Sequence, residues 1–372
     1  MVAPRRAPYG RRMTSHSIPA RVTQRALARL ALLPLALAAA APRSAAAQPA
    51  ATPVAQPASR AVGPTRIEPM RIPALYTARA PGATLACAPA ESRDLDALSD
   101  EFGDASTFQG ASARWRWFHE QNGWPTMLRR TARVDAQRGQ LYLEPALSGW
   151  FADFHAPLLY QTVSGDFDVT ARVLASSAQH ADSVPRALWS LVGLMARVPR
   201  AVSPESWAPR GENWLFITTG TAEAPGVPVI ETKSTVNSGS NLKLRPARAG
   251  WHELRIVRLR ETFLLLSRAE GESWRLRERV MRRDVPNTLQ VGLIAYSDGT
   301  NAPPAWRDPR AHNTADSTAR AGVGAPDLGA HVDWVRFRRP PVLRDVAPDW
   351  LTDHAVPEAT ILRFLDCGAA AR

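Results

Sequence analysis

The chain has 372 residues, 45% of them hydrophobic and 22% charged, which is ample for a packed core and excludes wholesale disorder. Its formal charge of +12 is concentrated at one end: residues 1–47 hold eight arginines and no acidic side chain, leaving +4 for the rest. That remainder, with no basic stripe interleaved with aromatics, argues against nucleic-acid binding.

Arg21, Arg25 and Arg29 precede an apolar stretch from Leu30 to Ala41, and Ala45-Ala46-Ala47 supplies the small residues a signal peptidase accepts before Gln48. Residues 1–47 therefore read as a secretory signal peptide, and the expected location is periplasmic or secreted. The apolar run falls short of the roughly 20 residues needed to cross a bilayer, and no later segment approaches that length, so no membrane partner is expected. Residues 48–90 are rich in Pro and Ala without apolar periodicity and read as an extended linker.

Residues 91–340 change character. Short β-branched and aromatic runs alternate with Gly, Asn, Asp and Pro, the pattern of an all-β domain. In Asp166 to Val173 the apolar Phe167, Val169, Ala171 and Val173 alternate with Asp168, Thr170 and Arg172, a period of two that buries one face. Further strands are expected at 140–144, 158–163, 188–197, 213–219, 227–235, 251–258, 262–268, 274–281, 289–296 and 331–337. About a dozen strands fit an antiparallel two-sheet sandwich of jelly-roll type. Residues 298–330 lack periodicity and read as a long loop. Residues 341–372 form a C-terminal tail, with one short helix expected between Pro357 and Leu365. The basic run Arg275, Arg277, Arg279, Arg282 and Arg283 is broken by Glu278 and reads as the solvated face of a strand.

Cys87 and Cys367 are the only cysteines and flank nearly everything that reads as folded. In an exported chain they are candidates for a disulfide closing a 280-residue loop, the alternative being two free thiols at the ends. Too few cysteines and no histidine spacing exist for a zinc site.

Read in order, several pieces resemble the concanavalin-A-like sandwiches of the domain-of-unknown-function family numbered 1349, and more distantly the C-terminal sandwich of β-xylosidases. They are Asp100-Glu101-Phe102 with Trp115-Arg116-Trp117, Val163 through Val169, Gly193 through Arg197, and Glu212-Asn213-Trp214-Leu215. Trp251 through Arg258 with Ser267, Gly271 and Trp274, then Gln290 through Leu293 and Val332-Asp333-Trp334, complete the series. The resemblance covers roughly residues 98–338. It implies the fold and a broad link to carbohydrate, with no agreed activity. Sandwiches of this superfamily also bind structural Ca²⁺ where the first and last strands pair, which makes Asp100, or Glu101 beside it, and Asp333 the candidate ligands and calcium the one cofactor considered.

No pair of carboxylates has the spacing Glu-x-Asp-x-x-Glu of the related glucanases. Glu231, Lys233 and Thr235 share one strand face and suit hydrogen bonding to hydroxyls more than proton donation, because the lysine favours the ionised glutamate. The same residues also fit a solvated exterior pair. Sugar C–H faces pack on indoles, which singles out Trp214 and Arg197 on strands, and Trp150, Trp189, Trp207 and Trp306 near strand ends. Trp115, Trp117, Trp251, Trp274 and Trp334 read as core or sheet cover.

The expected activity is therefore non-catalytic glycan binding by a monomer, through Arg197, Trp214, Glu231, Lys233 and Thr235. A glycoside hydrolase using dispersed carboxylates, or a polysaccharide lyase, is the alternative. The lyase signature Arg-x-Glu-Leu-Arg is incomplete, with Trp251 at its first position before Glu253-Leu254-Arg255. A structural envelope module whose sheet face is covered by the 298–330 loop or by a partner is the third reading.

Overall fold

The computed structural model describes residues 87–90, 92–107, 113–130, 132–135, 138–344 and 347–367; the signal-peptide reading and most of the linker reading lie outside them. The first strands are β1 (Cys87–Ala88), β2 (Arg116–Trp117), β3 (Arg133–Asp135), β4 (Gln140–Leu143), β5 (Leu147–Ser148), β6 (Leu158–Ser164) and β7 (Phe167–Ser176). There follow β8 (Ser190–Arg197), β9 (Trp214–Thr221), β10 (Pro228–Val236), β11 (Gly239–Pro246), β12 (His252–Leu259), β13 (Thr262–Ala269) and β14 (Arg275–Met281). The last are β15 (Thr288–Asp298), β16 (Gly329–Arg338) and β17 (Val342–Leu343). Among the described residues three short α-helices accompany them, α1 (Phe118–Gln121), α2 (Pro309–Thr314) and α3 (Glu358–Leu365).

The strands form an antiparallel sandwich. One sheet has the order β11-β10-β9-β8-β15-β6-β2, with β5 added in parallel to β15; the other runs β14-β13-β12-β7-β16-β4-β3. Alternation decides which side chains meet between the sheets. Val169, Ala171 and Val173 of β7, Leu254 and Ile256 of β12, and Val332 and Val335 of β16 face Val192 and Leu194 of β8, Leu215 and Ile217 of β9, and Val291 and Leu293 of β15. Each of the valine, leucine and isoleucine side chains among them, once fully buried, contributes roughly 1.5–3 kcal/mol.

Each sheet is also covered over part of its other face, which explains why β8 and β15 read as nearly continuous apolar runs rather than alternating ones. On β12 and β13, the outward Val257, Leu264 and Leu266 pack against Ile361, Phe364 and Leu365 of α3 and against Leu351. Cys367, just beyond α3, is disulfide-bonded to Cys87, and β1 pairs with β17.

The two- and three-residue strands β1, β2, β3, β5 and β17 have no counterpart in the sequence expectation, being too short to show alternation, and three further features depart from that expectation. β11 has no counterpart there: it is an edge strand whose exposed Gly239, Asn241, Lys243 and Pro246 leave little apolar signal, and it pairs only with β10. Its register is set by the two-residue turn Asn237-Ser238, both residues at positive φ as a type I′ hairpin requires. The 298–330 stretch is not bare loop but contains α2, capped by the Asp308 side chain on the Ala311 amide with Pro309 in the first turn. Arg282, expected in solvent, is buried and donates to Asp284 and to the Trp214 carbonyl.

Candidate functional site

The outer face of the larger sheet carries the side chains opposite the core set. Registered pairs lay them out in rows: Gln290, Arg197, Trp214 and Thr235 in one; Gly292, Met195, Phe216 and Lys233 in the next; Ile294, Gly193, Thr218 and Glu231 in a third. Gly193 has no room for a side chain, since a Cβ there would meet the Ile217 carbonyl oxygen at 2.1 Å. Tyr296, two residues beyond Ile294 on β15, reaches across this row to Glu231. The five residues singled out from sequence for ligand contact thus lie on one face.

Covering segments divide that face. Over the Arg197 row lie Phe118, Trp124, Trp150 and Trp207, so that Arg197 and Trp214 are buried. Beneath this cover Glu212 takes the Arg197 guanidinium through both oxygens, with distances of 2.9–3.2 Å. It also accepts from Arg200 at 3.2 Å and lies 3.3 Å from His155 Nε2. Arg197 donates further to Gln290 at 2.8 Å and sits 4.4 Å over the Phe118 ring. Burial alone would raise the Glu212 carboxyl, but Arg197 and His155 together outweigh it and hold the group below the usual carboxylate range. Thr235 is buried too, within 2.7 Å of the Ser240 hydroxyl.

The other end of the face opens into a cavity of about 300 Å³. Its walls are Trp150, Phe151, Phe154, Trp189, Leu242 and Tyr296, with Gly299, Thr300 and His312 at its margin. Lys233 is at its floor, buried to 4% exposure. The ammonium contacts Glu231 Oε1 at 2.7 Å and donates to the Trp150 carbonyl at 2.9 Å. Four rings surround it, with centroids 5.0 Å (Phe216), 5.6 Å (Phe151), 5.7 Å (Trp189) and 6.0 Å (Tyr296) away. Tyr296 donates its hydroxyl proton to Glu231 Oε2 at 2.5 Å, and burial together with that carboxylate keeps the phenol well above its ordinary pKa. Glu231 and Lys233 are therefore a buried neutralised pair, not a solvated one, and an ammonium has one donor beyond these two contacts.

Burial pushes His312 down to about 3, with Arg320 adding to the shift, and lowers His155 as well. His312 therefore stays neutral in the fold well below neutrality and His155 shifts the same way, whereas in the unfolded chain an imidazole titrates near 6.5. Between about pH 6.5 and 3 the unfolded state binds protons that the folded state does not, so stability is full above neutrality and falls as pH drops through this window. Urea midpoints are expected to be lower at pH 4.5 than at pH 7, and the difference is expected to shrink in a His312→Phe variant.

Asp100 accepts from Trp115 Nε1 and the Phe102 amide, both at 2.9 Å, and lies 3.4 Å from Arg114. Asp333 takes the Arg172 guanidinium at 2.6 Å. Among the described residues no group of three His, Cys, Asp or Glu side chains could hold a metal ion.

Glu212, His155, Tyr296 and His312 were not singled out from sequence. Glu212 stands in the Glu212-Asn213-Trp214 piece of the resemblance, which was the one available signal. Trp306 lies outside the cavity, with Arg320 4.9 Å over its ring, whereas Trp150 and Trp189 form cavity walls.

No protein-family model matches the chain, and comparison with the curated proteins finds no match. Among solved structures the chain is similar to a functionally unknown protein from Saccharomyces cerevisiae, at 12% identity over 61% of this chain and 97% of that one, with a TM-score of 0.40. It is also similar to a xylan beta-1,4-xylosidase from Bacillus halodurans C-125, at 13% identity over 65% of this chain and 39% of that one, with a TM-score of 0.40. A beta-1,3-glucanase from Mycobacterium marinum is similar at 16% identity over 64% of this chain and 97% of that one, with a TM-score of 0.32.

Proposed function

We propose that this chain is an exported, non-catalytic glycan-binding sandwich that takes a sugar ring into the aromatic cavity at the Lys233 end of the sheet. The observation that carries the reading is the pairing of aromatic walls with a single ammonium at the floor. Indole and phenyl faces suit the C–H faces of a sugar, and the remaining Lys233 donor suits a hydroxyl or ring oxygen. Because Glu231 neutralises that ammonium, the floor favours a neutral ligand over an anion. The volume lies at the low end of the roughly 300–1,000 Å³ of small-molecule sites, which suits one ring rather than several.

Glycoside hydrolysis needs two carboxylates flanking the scissile bond. The described cavity lining contains neither Asp nor Glu, and Glu231 beneath it is held by Lys233 and Tyr296, which supports binding without turnover. The disulfide fits an oxidising compartment, and no helix among the described residues is long and apolar enough to cross a membrane.

Trp214 and Glu231 are too deeply buried for their truncation to report on binding, so the test uses the wall residue Trp189. Glycan-array binding by the wild type, reduced at least tenfold by Trp189→Ala at unchanged melting temperature, is the expected result. No retention on any glycan, or retention indifferent to Trp189→Ala, would overturn the proposal. The covered half of the face, with Phe151 52% exposed at the cavity, favours an envelope interaction module as the second reading. A protein captured through Phe151 in place of a glycan would move the assignment there.

A further inference from the structure

The turn that bounds the aromatic cavity has a second side. Gly299 and Thr300 line the cavity, whereas Asp298 and Asn301 line a wider groove of about 720 Å³. The chain before β8 divides the same way, Trp189 toward the cavity and Leu188 toward the groove. The Asp298 amide donates to the Leu188 carbonyl at 3.0 Å and ties the two segments into one ridge. Trp189 and Asp298 both hold left-handed backbone, with φ of 52° and 60°, a conformation that non-glycine residues keep only where their surroundings enforce it.

Two carboxylates brace the groove. Asp327 accepts from the Ser177 hydroxyl at 2.6 Å and from the amides of Ala178 and Arg186, both at 2.9 Å. Asp298 accepts from the Asn301 side chain at 2.5 Å and the Ala325 amide at 2.6 Å. All four of these oxygens are engaged by protein donors, which fixes the groove walls and leaves the carboxylates little capacity for a ligand. In contrast, the side chains of Gln179, His180 and Arg186 line the groove and make no hydrogen bond or ion pair among the described residues. The groove therefore offers unengaged donors beside a cavity that offers ring-stacking walls.

We infer that the ligand is an oligosaccharide rather than a single sugar: its terminal unit occupies the aromatic cavity, and the following units cross the Trp189–Gly299 ridge into the groove. There the hydroxyl and ring oxygens accept from Gln179, His180 and Arg186. This assignment rests on the glycan reading of the cavity. It accounts for a feature that reading leaves unused, a braced groove whose free donors face a ligand that must be rich in acceptors.

The test is calorimetric titration of the full chain with xylo-, cello-, laminari- and manno-oligosaccharide ladders of one to six units. For the series that binds, affinity is expected to rise at least tenfold between one unit and three. In the Gln179→Ala, Arg186→Ala double variant, both changes being at the protein surface, the ratio of three-unit to one-unit affinity is expected to fall close to one. A bound series with flat affinity along the ladder overturns the two-part site while leaving the cavity reading standing, as does a length gain that survives the double variant. Failure of all four ladders removes the glycan reading and this inference with it.

Discussion

Glu212→Gln is expected to destabilise the fold by about 3–5 kcal/mol, the cost of leaving a buried charge without its partner. The substitution keeps the volume and one acceptor oxygen, so what it removes is the negative charge. Arg197 is 0% exposed and its only other hydrogen-bond partner among the described residues is the neutral Gln290 amide. Arg200 and His155 contact one and the same carboxylate oxygen, Oε1, and would face a neutral amide in its place. His155 and Glu212 also anchor the cover through their backbones: the His155 amide donates to the Asn313 side chain, Asn313 donates to the Asp153 carbonyl, and the Glu212 amide donates to the Ser238 hydroxyl. Loosening it is expected to reach the aromatic cavity through Trp150, which packs on both Phe118 and Trp214. With a melting shift of roughly 2–4 °C per kcal/mol for a domain of this size, thermal unfolding should move down by about 6–20 °C. A second variant, Glu212→Gln with Arg197→Met, is expected to recover part of the loss, because it replaces a stranded guanidinium by an apolar chain of similar length. A melting temperature within a degree or two of wild type for the single variant would show that the guanidinium finds water or another acceptor, and that the cover over the Arg197 row is not held by charge.

How much of this was legible in the sequence follows from the distance over which each interaction acts. The period-two run from Phe167 to Val173 identifies β7 and its buried face without reference to any other strand, because alternation is local. The sandwich was accessible for the same reason, as was the sharing of one face by Glu231, Lys233 and Thr235, which lie two residues apart on β10. What brings Arg197, Trp214 and Tyr296 to that same face is cross-strand register, between residues separated by up to about a hundred positions, and nothing local to those residues encodes it. The covers were harder still. α1 has four residues and α2 six, too short to show a helical period, although Asp308-Pro309 carried a readable start signal. Whether the aromatic residues on a sheet face meet solvent or a covering loop depends on such segments. That is why Trp214 reads as a stacking surface in the sequence and is core in the fold, while Phe151, in a loop with no pattern, is a cavity wall.

Reduction of Cys87–Cys367, or its replacement by Cys87→Ser with Cys367→Ser, is expected to lower unfolding free energy by about 2–5 kcal/mol. The bond joins residues 280 positions apart, so its removal releases nearly the whole folded chain from a single closed loop in the unfolded state. The loss should fall unevenly on the native state. α3 has eight residues, too few to persist as a helix without packing. It is held by Ile361, Phe364 and Leu365 against the outer face of β12 and β13, and by Arg279, which donates to the Val356 carbonyl at 2.8 Å just before it. The two-residue β1–β17 ladder gives Cys87 little other anchorage. Urea unfolding of oxidised and reduced protein should therefore show a lower midpoint and a steeper denaturant dependence for the reduced form, whose unfolded chain exposes more surface. Amide exchange should accelerate first in α3, while β8 and β15, covered on both faces and remote from the bond, keep their protection relative to the global limit. Equal midpoints in the two forms, with unchanged exchange in α3, would mean that apolar packing alone secures the C-terminal segment and that the cross-link adds nothing measurable to it.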